Sequence, residues 1–456
     1  MKRPFESIDR KKIRRLFVAI LIMLIAFILG IVFTRWQQLP LIQSIKIHTD
    51  QNAEDYLNPA TKQKRLIDKT TQQALAQHFL TQYFSPWHNK QDPIVIKNNI
   101  QNTMNAFEKD PGWGMNYQRH SLQWMQKIAA NINLNTFPNE NKNAIVLRNT
   151  ELRVLPTDMP SFSNYHEAGE GYPFDNLQIS ALWTGAAVHV FQITQDGEWG
   201  YVSAYSVSGW VKLRDIAYVD PIFIQQYEHH QFVTVIKDDA PVKDSQGNYL
   251  FKTRIGSLFP IEKNNILIPI KNQNHQAEII KIAFPKNSVI HFPLSATPEH
   301  FALLINHMVG EPYGWGGYQH WRDCSLTTQS LLADFGVYLP RNSEKQSESG
   351  QMIDLSHLTV KQKLNRIQQQ GKPFLTLIGL PGHIMLYIGQ KDHQLYAFNN
   401  KWGLLTKNLF GDEGRAVIGS AMISPLSFNR PIPNVPYSLI QDATSMTLFL
   451  QHENKQ

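Results

Sequence analysis

The sequence predicts a multidomain chain: an apolar helix and a polar helical segment, then two small β-barrels and a C-terminal α+β domain. Three observations carry this expectation. At 456 residues the chain exceeds one compact core, and its length favours three or four domains. One uncharged apolar run lies near the N-terminus. Beyond it the periodicity changes from helical spacing to short alternating runs near residue 144, and to a mixed helix-and-strand pattern near residue 293.

The apolar run extends from Leu16 to Phe33, at the lower end of what spans a bilayer and long for the core of a signal peptide. Cations precede it, which predicts a cytoplasmic arm over 1–15, a membrane segment over 16–33 and an exported remainder. No small-residue cleavage site follows in Ile31-Val32-Phe33-Thr34-Arg35-Trp36, and no cysteine closes the run to carry a lipid. An uncleaved signal anchor is therefore favoured over a cleaved signal.

The formal charge of +7 invites a nucleic-acid reading. Eight of the 44 Lys/Arg and two of the 37 Asp/Glu fall within residues 1–35, so this arm holds +6 of the total and the rest is nearly neutral. A basic binding face is absent from the sequence, and no nucleic-acid partner is expected. With 42% hydrophobic residues and no long low-complexity tract, disorder is not the main theme either.

Residues 34–143 read as mostly helical and polar. Leu66 to Phe84 has helical spacing ended by Ser85-Pro86, Ser121 to Ile132 is a second helix, and no catalytic spacing stands out. Over 144–220, runs at Ala144–Arg148, Ala187–Ile193, Trp199–Ser203 and Gly209–Lys212 are separated by turns such as Gln195-Asp196-Gly197, the pattern of a small barrel. A second barrel occupies 221–292, with Val233–Ile236 and Ile266–Ile270 among its runs.

In the last domain, 293–456, Thr297-Pro298 caps and opens a helix through about Val309. A Gly- and aromatic-rich loop follows, then Arg322-Asp323-Cys324-Ser325 and a helix from about Ser325 to Phe335, capped by Gly336. Phe374–Leu380 and Ile384–Ile388 flank Pro381-Gly382-His383 as antiparallel strands, with Leu395–Phe398 as a third.

Cys324 is the only cysteine, so an exported chain has no internal disulfide and a lone thiol must be buried or used. It sits at a helix N-terminus, where the macrodipole and free N–H groups favour a thiolate and lower the thiol pKa. A buried structural cysteine is the competing reading, but its neighbours Asp323 and Ser325 are polar. His383 opens a strand and is a candidate base among 17 histidines, most of which read as solvated, such as His229 and His230. Asn399, at the end of a neighbouring strand, is placed to orient the imidazole; Asn400 and His393 compete for that position. No HExxH exists and one cysteine precludes the usual thiolate zinc sites, so neither metal nor cofactor is expected.

Together these segments resemble the NlpC/p60 family of cell-wall cysteine peptidases. The resemblance rests on Pro312-Tyr313-Gly314-Trp315-Gly316-Gly317, Arg322-Asp323-Cys324-Ser325, Phe335 through Gln346, and Gly382-His383-Ile384-Met385-Leu386-Tyr387-Ile388-Gly389. Upstream, Phe174-Asp175-Asn176-Leu177-Gln178, Asp196-Gly197-Glu198-Trp199 and Ser208-Gly209-Trp210-Val211 are similar to bacterial SH3-like domains of a multidomain branch. Phe84-Ser85-Pro86-Trp87 and Leu152 through Thr157 resemble it too.

The resemblance implies a papain-like α+β domain, with Cys324 as nucleophile, His383 as base and Asn399 where the family usually has His. It implies cleavage of the γ-D-glutamyl–diamino acid amide in peptidoglycan stem peptides. Asp323 and Ser325 inherit a role in binding a free N-terminal amine, which an acidic side chain suits. Tyr205 is the candidate aromatic from the first SH3-like domain to close that pocket, and Tyr313 and Trp315 read either as cleft wall or as core. Leu326 replaces a Gly often found after Cys-Ser. The expected location is the inner membrane, single-pass, with the catalytic part facing periplasm or wall. The rival readings of the same residues are a non-catalytic peptidoglycan-binding scaffold and an acyltransferase or amidase on the same fold.

Overall fold

The computed structural model describes residues 10–37, 42–89, 91–407, 411–428, 435 and 438–450. The first nine residues of the expected basic arm lie outside them. A helix spans Arg10–Gln37, and its stretch Arg14–Val32 is long and apolar enough to cross a membrane with none of it buried in the protein. A signal sequence near an N-terminus can be long and apolar enough as well.

The polar segment forms helices Lys69–Tyr83, Pro93–Lys109 and Leu122–Ile132, N-capped by Asp68, Asp92 and Ser121. The first begins three residues later than its apolar spacing suggests because Asp68 accepts from Thr71 N at 2.9 Å and fixes the start. This helix is a wedge. Its buried Gln72 donates to the carbonyls of Leu294 and Phe335 at 2.6 and 3.1 Å and accepts from Ala296 N at 3.2 Å, all in the C-terminal domain. Farther along, Phe79, Tyr83, Phe84 and Trp87 enter the core of the first barrel, and Trp87 Nε1 donates to Ala144 O at 2.8 Å. Burying each such ring stabilises the junction by roughly 1.5–3 kcal/mol.

In spatial order the first barrel sheet runs Gln178–Leu182, Thr150–Arg153, Ser208–Lys212, Trp199–Ser203, Ala187–Ile193, Lys142–Val146 and Ile216–Tyr218. A short helix, Pro221–Glu228, leads to the second. There a five-stranded sheet runs Ala277–Ile282, Asn265–Lys271, Leu258–Glu262, Gln231–Val235 and Val289–His291, beside the hairpin Pro241–Lys243 and Tyr249–Lys252.

The C-terminal domain is a seven-stranded sheet covered on both faces. Its order is Ile42–Ser44, Glu413–Pro425, Gln394–Lys407, His383–Lys391, Thr376–Leu380, Ser445–Leu448 and Gln351–Asp354. Helices Pro298–Met308 and Cys324–Ala333 pack on one face through Phe301, Ile305, Leu331 and Leu332 against Ile384, Leu386, Ile388 and Phe398. Helix Val360–Gln370 covers the other face, with Ile367 near Ile378, Met385, Tyr387 and Ala397. The edge strand Ile42–Ser44 comes from the opposite end of the chain and pairs in parallel with Arg415–Val417. The chain after it stays attached, since Thr49 Oγ1 donates to Ile423 O at 2.7 Å and Gln51 Oε1 accepts from Ile423 N at 2.9 Å.

Candidate active site

Cys324 is the first residue of a helix whose N-cap is Asp323; the Asp323 carboxylate accepts from Leu326 N at 2.9 Å. The helix is buried along its whole length, so the thiol is held rather than displayed, at 6% exposure. Pro381-Gly382 makes a two-residue turn, with Gly382 at φ 66°, closing the Leu380–His383 pair of a hairpin. That turn sets His383 as the first residue of its strand. The backbone N–H of the next residue, Ile384, favours the Cys324 thiolate, so the thiol lies near the start of the His383 strand.

The neighbouring strand supplies the polar groups. It pairs with the His383 strand at Leu386↔Phe398 and Tyr387↔Ala397. The pairing ends at Leu386↔Phe398, and the neighbouring strand runs on through Asn399 and Lys401, which alternate onto one face of it. Asn399 Nδ2 donates to Ser424 Oγ at 3.0 Å, which turns its amide oxygen the other way. Asn399 Oδ1 and His383 Nε2 are both buried, and neither makes a hydrogen bond of good geometry within the described residues. They are complementary, however: Asn399 favours the imidazolium of His383, and catalytic hydrogen bonds often tighten only with substrate bound. Asn400 points to the other face and donates to Arg322 O at 2.7 Å, bracing the loop before Cys324. His393 is an exposed turn residue at φ 61°.

Burial pushes the Cys324 thiol up to about 11, with the adjacent Asp323 carboxylate adding to it; the Ile384 N–H, Lys401 and Arg341 oppose without prevailing. The expectation that the helix N-terminus lowers this pKa is thus overturned by desolvation. Burial, and then the Lys401 ammonium, push His383 well below its ordinary value, against Asn399. The resting pair is a thiol and a neutral imidazole.

Asp323 has no lone pair to spare. Besides Leu326 N, it accepts from Gly316 N at 3.1 Å, from Ser325 Oγ at 3.1 Å, and from Arg341 at 3.1 and 2.7 Å on its two oxygens. Arg341 also donates to Ser325 Oγ at 2.8 Å and, through Nε, to Ser180 Oγ of the first barrel at 2.7 Å. Both residues expected to take a substrate amine are therefore engaged in holding the nucleophile's loop on that barrel. The Gly-rich loop is part of the same junction: a Cβ at Gly317 would lie 2.3 Å from Ala181 N, so only glycine allows this approach. Leu326, in place of the usual Gly, fills the junction with Ala181 and Trp183.

Tyr313 and Trp315 are half-buried and meet Phe174 of the first barrel at ring-centroid distances of 6.4 and 5.1 Å; Trp402 joins Phe174 at 4.9 Å. Burial, and then the nearby Cys324 and Asp323, raise the Tyr313 phenol pKa, so this ring belongs to the site. Tyr205 instead sits among Tyr83, Phe79 and Tyr338, at 5.3, 6.4 and 6.4 Å. The aromatic that the first barrel brings to the rim is Phe174. Its signal was its place in Phe-Asp-Asn-Leu-Gln, and Arg341 stood in Leu-Pro-Arg-Asn-Ser. Lys401 and Trp402 follow Asn399 along one strand, but nothing in their spacing marked them.

The chain matches known domain families in order. Residues 19–137 match the NlpC/P60 N-terminal stabilising domain, 160–212 an SH3 domain of SH3b1 type, 220–264 an SH3 domain of SH3b2 type, and 310–395 the NlpC/P60 family. The chain belongs to the NlpC/P60 family. A solved structure described as a novel NlpC/P60 endopeptidase from Photobacterium damselae subsp. piscicida is similar at 28% identity and a TM-score of 0.84, covering 90% of this chain and 100% of its own. An NlpC/P60 family protein from Bacillus cereus is similar at 17% identity over 68% of this chain and 99% of its own, with a TM-score of 0.46, too low to bear on the site. No curated protein matches. The NlpC/P60 assignment makes this chain a member of a cysteine peptidase family that includes peptidoglycan hydrolases, with two SH3b domains.

Proposed function

We propose that this NlpC/P60 protein is a membrane-anchored cell-wall endopeptidase that hydrolyses the γ-D-glutamyl–diamino acid amide of peptidoglycan stem peptides. The observation that carries the reading is the placement of Cys324 against the Ile384 N–H at the start of the His383 strand, with the Asn399 amide oxygen left free toward the imidazole. Cys324 Sγ attacks the scissile carbonyl as its proton passes to His383. The tetrahedral oxyanion is met by the Cys324 backbone N–H at the helix start. Collapse breaks the C–N bond, with His383 returning the proton to the departing amine and leaving a thioester. A water molecule, deprotonated by His383, then releases the free γ-carboxyl group and restores the thiol. Asn399 orients the imidazole and shares no charge with it. The apolar helix holds the protein in the inner membrane, facing the wall.

The test is digestion of purified muropeptides by the part of the chain after the apolar helix, beside Cys324→Ala. A new amine on the diamino acid, absent with Cys324→Ala, supports the reading. No new amine at any pH, with the protein folded and retained on peptidoglycan, would instead leave a non-catalytic binding protein.

A further inference from the structure

The charge of Lys401 is felt by both reacting groups, and among the described residues no ion pair holds it. Lys401 lies two residues after Asn399, on the same face of the strand that neighbours the His383 strand, and pairs there with Ser420 of the strand beyond. Among the described residues it forms no hydrogen bond and no ion pair. Asp442 acts on it only at longer range, Arg415 adds like charge, and Cys324 is the other group near enough to matter. It is half-buried, so its ammonium has lost part of its hydration.

A desolvated cation without a partner is costly. Here it also works against the chemistry, because His383 must become positive when it takes the thiol proton. An anion supplied by the substrate would remove both penalties. Under the reaction proposed above, the residue on the acyl side of the scissile bond is linked through its γ-carboxyl group. Its α-carboxylate is therefore free, three carbons from the carbonyl that Cys324 attacks.

We propose that Lys401 receives this free α-carboxylate, so that the enzyme selects stem peptides with unamidated γ-linked D-glutamate and gains a competent base only when one is bound. The inference rests on the proposed endopeptidase reading. Lys401 is a specificity residue in this scheme. Docking of the carboxylate neutralises the ammonium, proton uptake by His383 becomes easier, and the attack follows.

The experiment compares two tripeptides, L-alanyl-γ-D-glutamyl-diaminopimelate and its α-amide, the D-isoglutaminyl form, with the wild type, Lys401→Met and Lys401→Arg. The wild type is expected to favour the free acid by about 10- to 100-fold in kcat/KM, the range of one hydrogen bond between charged groups. In Lys401→Met that ratio falls to within about threefold of one, and Lys401→Arg, which keeps the charge, retains a preference. On the amide, the acid limb of the kcat/KM profile moves to higher pH in Lys401→Met, because the cation opposing His383 protonation is gone. A merely structural role would lower both substrates by one factor and leave the ratio unchanged; that result overturns the proposal, as does equal cleavage of acid and amide by the wild type. If the wild type cleaves neither and equals Cys324→Ala, the endopeptidase reading fails and this inference goes with it.

Discussion

Arg322 and Asp238 are joined by two hydrogen bonds, of 2.7 and 3.0 Å, across the boundary between the nucleophile's loop and the second SH3-like domain. Arg322, fully buried two residues before Cys324, also donates to Glu311 at 2.7 Å and to Ile255 O at 2.9 Å. Arg254 of the same SH3-like domain bonds Glu311, and the Trp183 ring of the first barrel lies against both guanidinium groups at 5.2 and 5.3 Å. Three domains thus converge on the segment that delivers the thiol.

Removing Asp238 leaves two guanidinium groups buried with one carboxylate between them. Asp238→Ala is expected to cost about 3–5 kcal/mol in chemical denaturation, the range for breaking a buried pair. Burial alone would raise the Asp238 pKa, but Arg322 and Arg254 hold it below the ordinary carboxylate value. The stability it contributes is therefore present above about pH 4 and is lost as pH falls through the lower, folded-state value. Asp238→Ala should flatten this acid limb of the stability profile; an unchanged limb would assign it to other carboxylates.

The thiol should be sluggish when free of substrate. With its pKa pushed up to about 11, alkylation of Cys324 by iodoacetamide is expected to be slow at pH 7 and to climb steeply above pH 9. A reaction already at its plateau by pH 7 would mean that the helix N-terminus prevails over burial after all.

His383→Ala is expected to lose about 10²–10⁴ in kcat, the usual worth of general base catalysis. Asn399→Ala should lose less, about 10- to 100-fold, by freeing the ring it orients. Asn400→Ala separates the two neighbours. It removes the brace on Arg322 O, and its effect should show as lower thermal stability at least as much as in kcat.

Phe174→Ala and Tyr205→Ala are expected to part ways. Phe174 meets Tyr313, Trp315 and Trp402, so its loss should raise KM severalfold with little change in melting temperature. Tyr205 packs among Phe79, Tyr83 and Tyr338, so its loss should destabilise by about 2 kcal/mol or more, with KM nearly constant. The reverse pattern would return Tyr205 to the substrate pocket.

The sequence showed the Cys324 helix and the His383 hairpin because their determinants are local. Asp323 caps within three residues, and Pro381-Gly382 specifies its own turn. The strand carrying Asn399 was read as Leu395–Phe398 but extends over Gln394–Lys407. Asn399, Asn400 and Lys401 interrupt its apolar pattern, so the residues that serve the site conceal the strand that holds them. Arg341, Phe174 and Lys401 take their meaning from partners far along the chain, as with Arg341 and Ser180, and periodicity cannot express such distances. The same applies to Ile42–Ser44, whose partner strand lies more than 350 residues away.

That edge strand also sets a radius of action. Four residues separate Gln37, the end of the apolar helix, from Ile42, which is already part of the catalytic sheet. At about 3.3–3.6 Å per residue such a connection reaches roughly 15 Å. If the helix stays in the bilayer, a connection of this length keeps the sheet that carries His383 close to the membrane surface. If the helix is removed, that tether is gone.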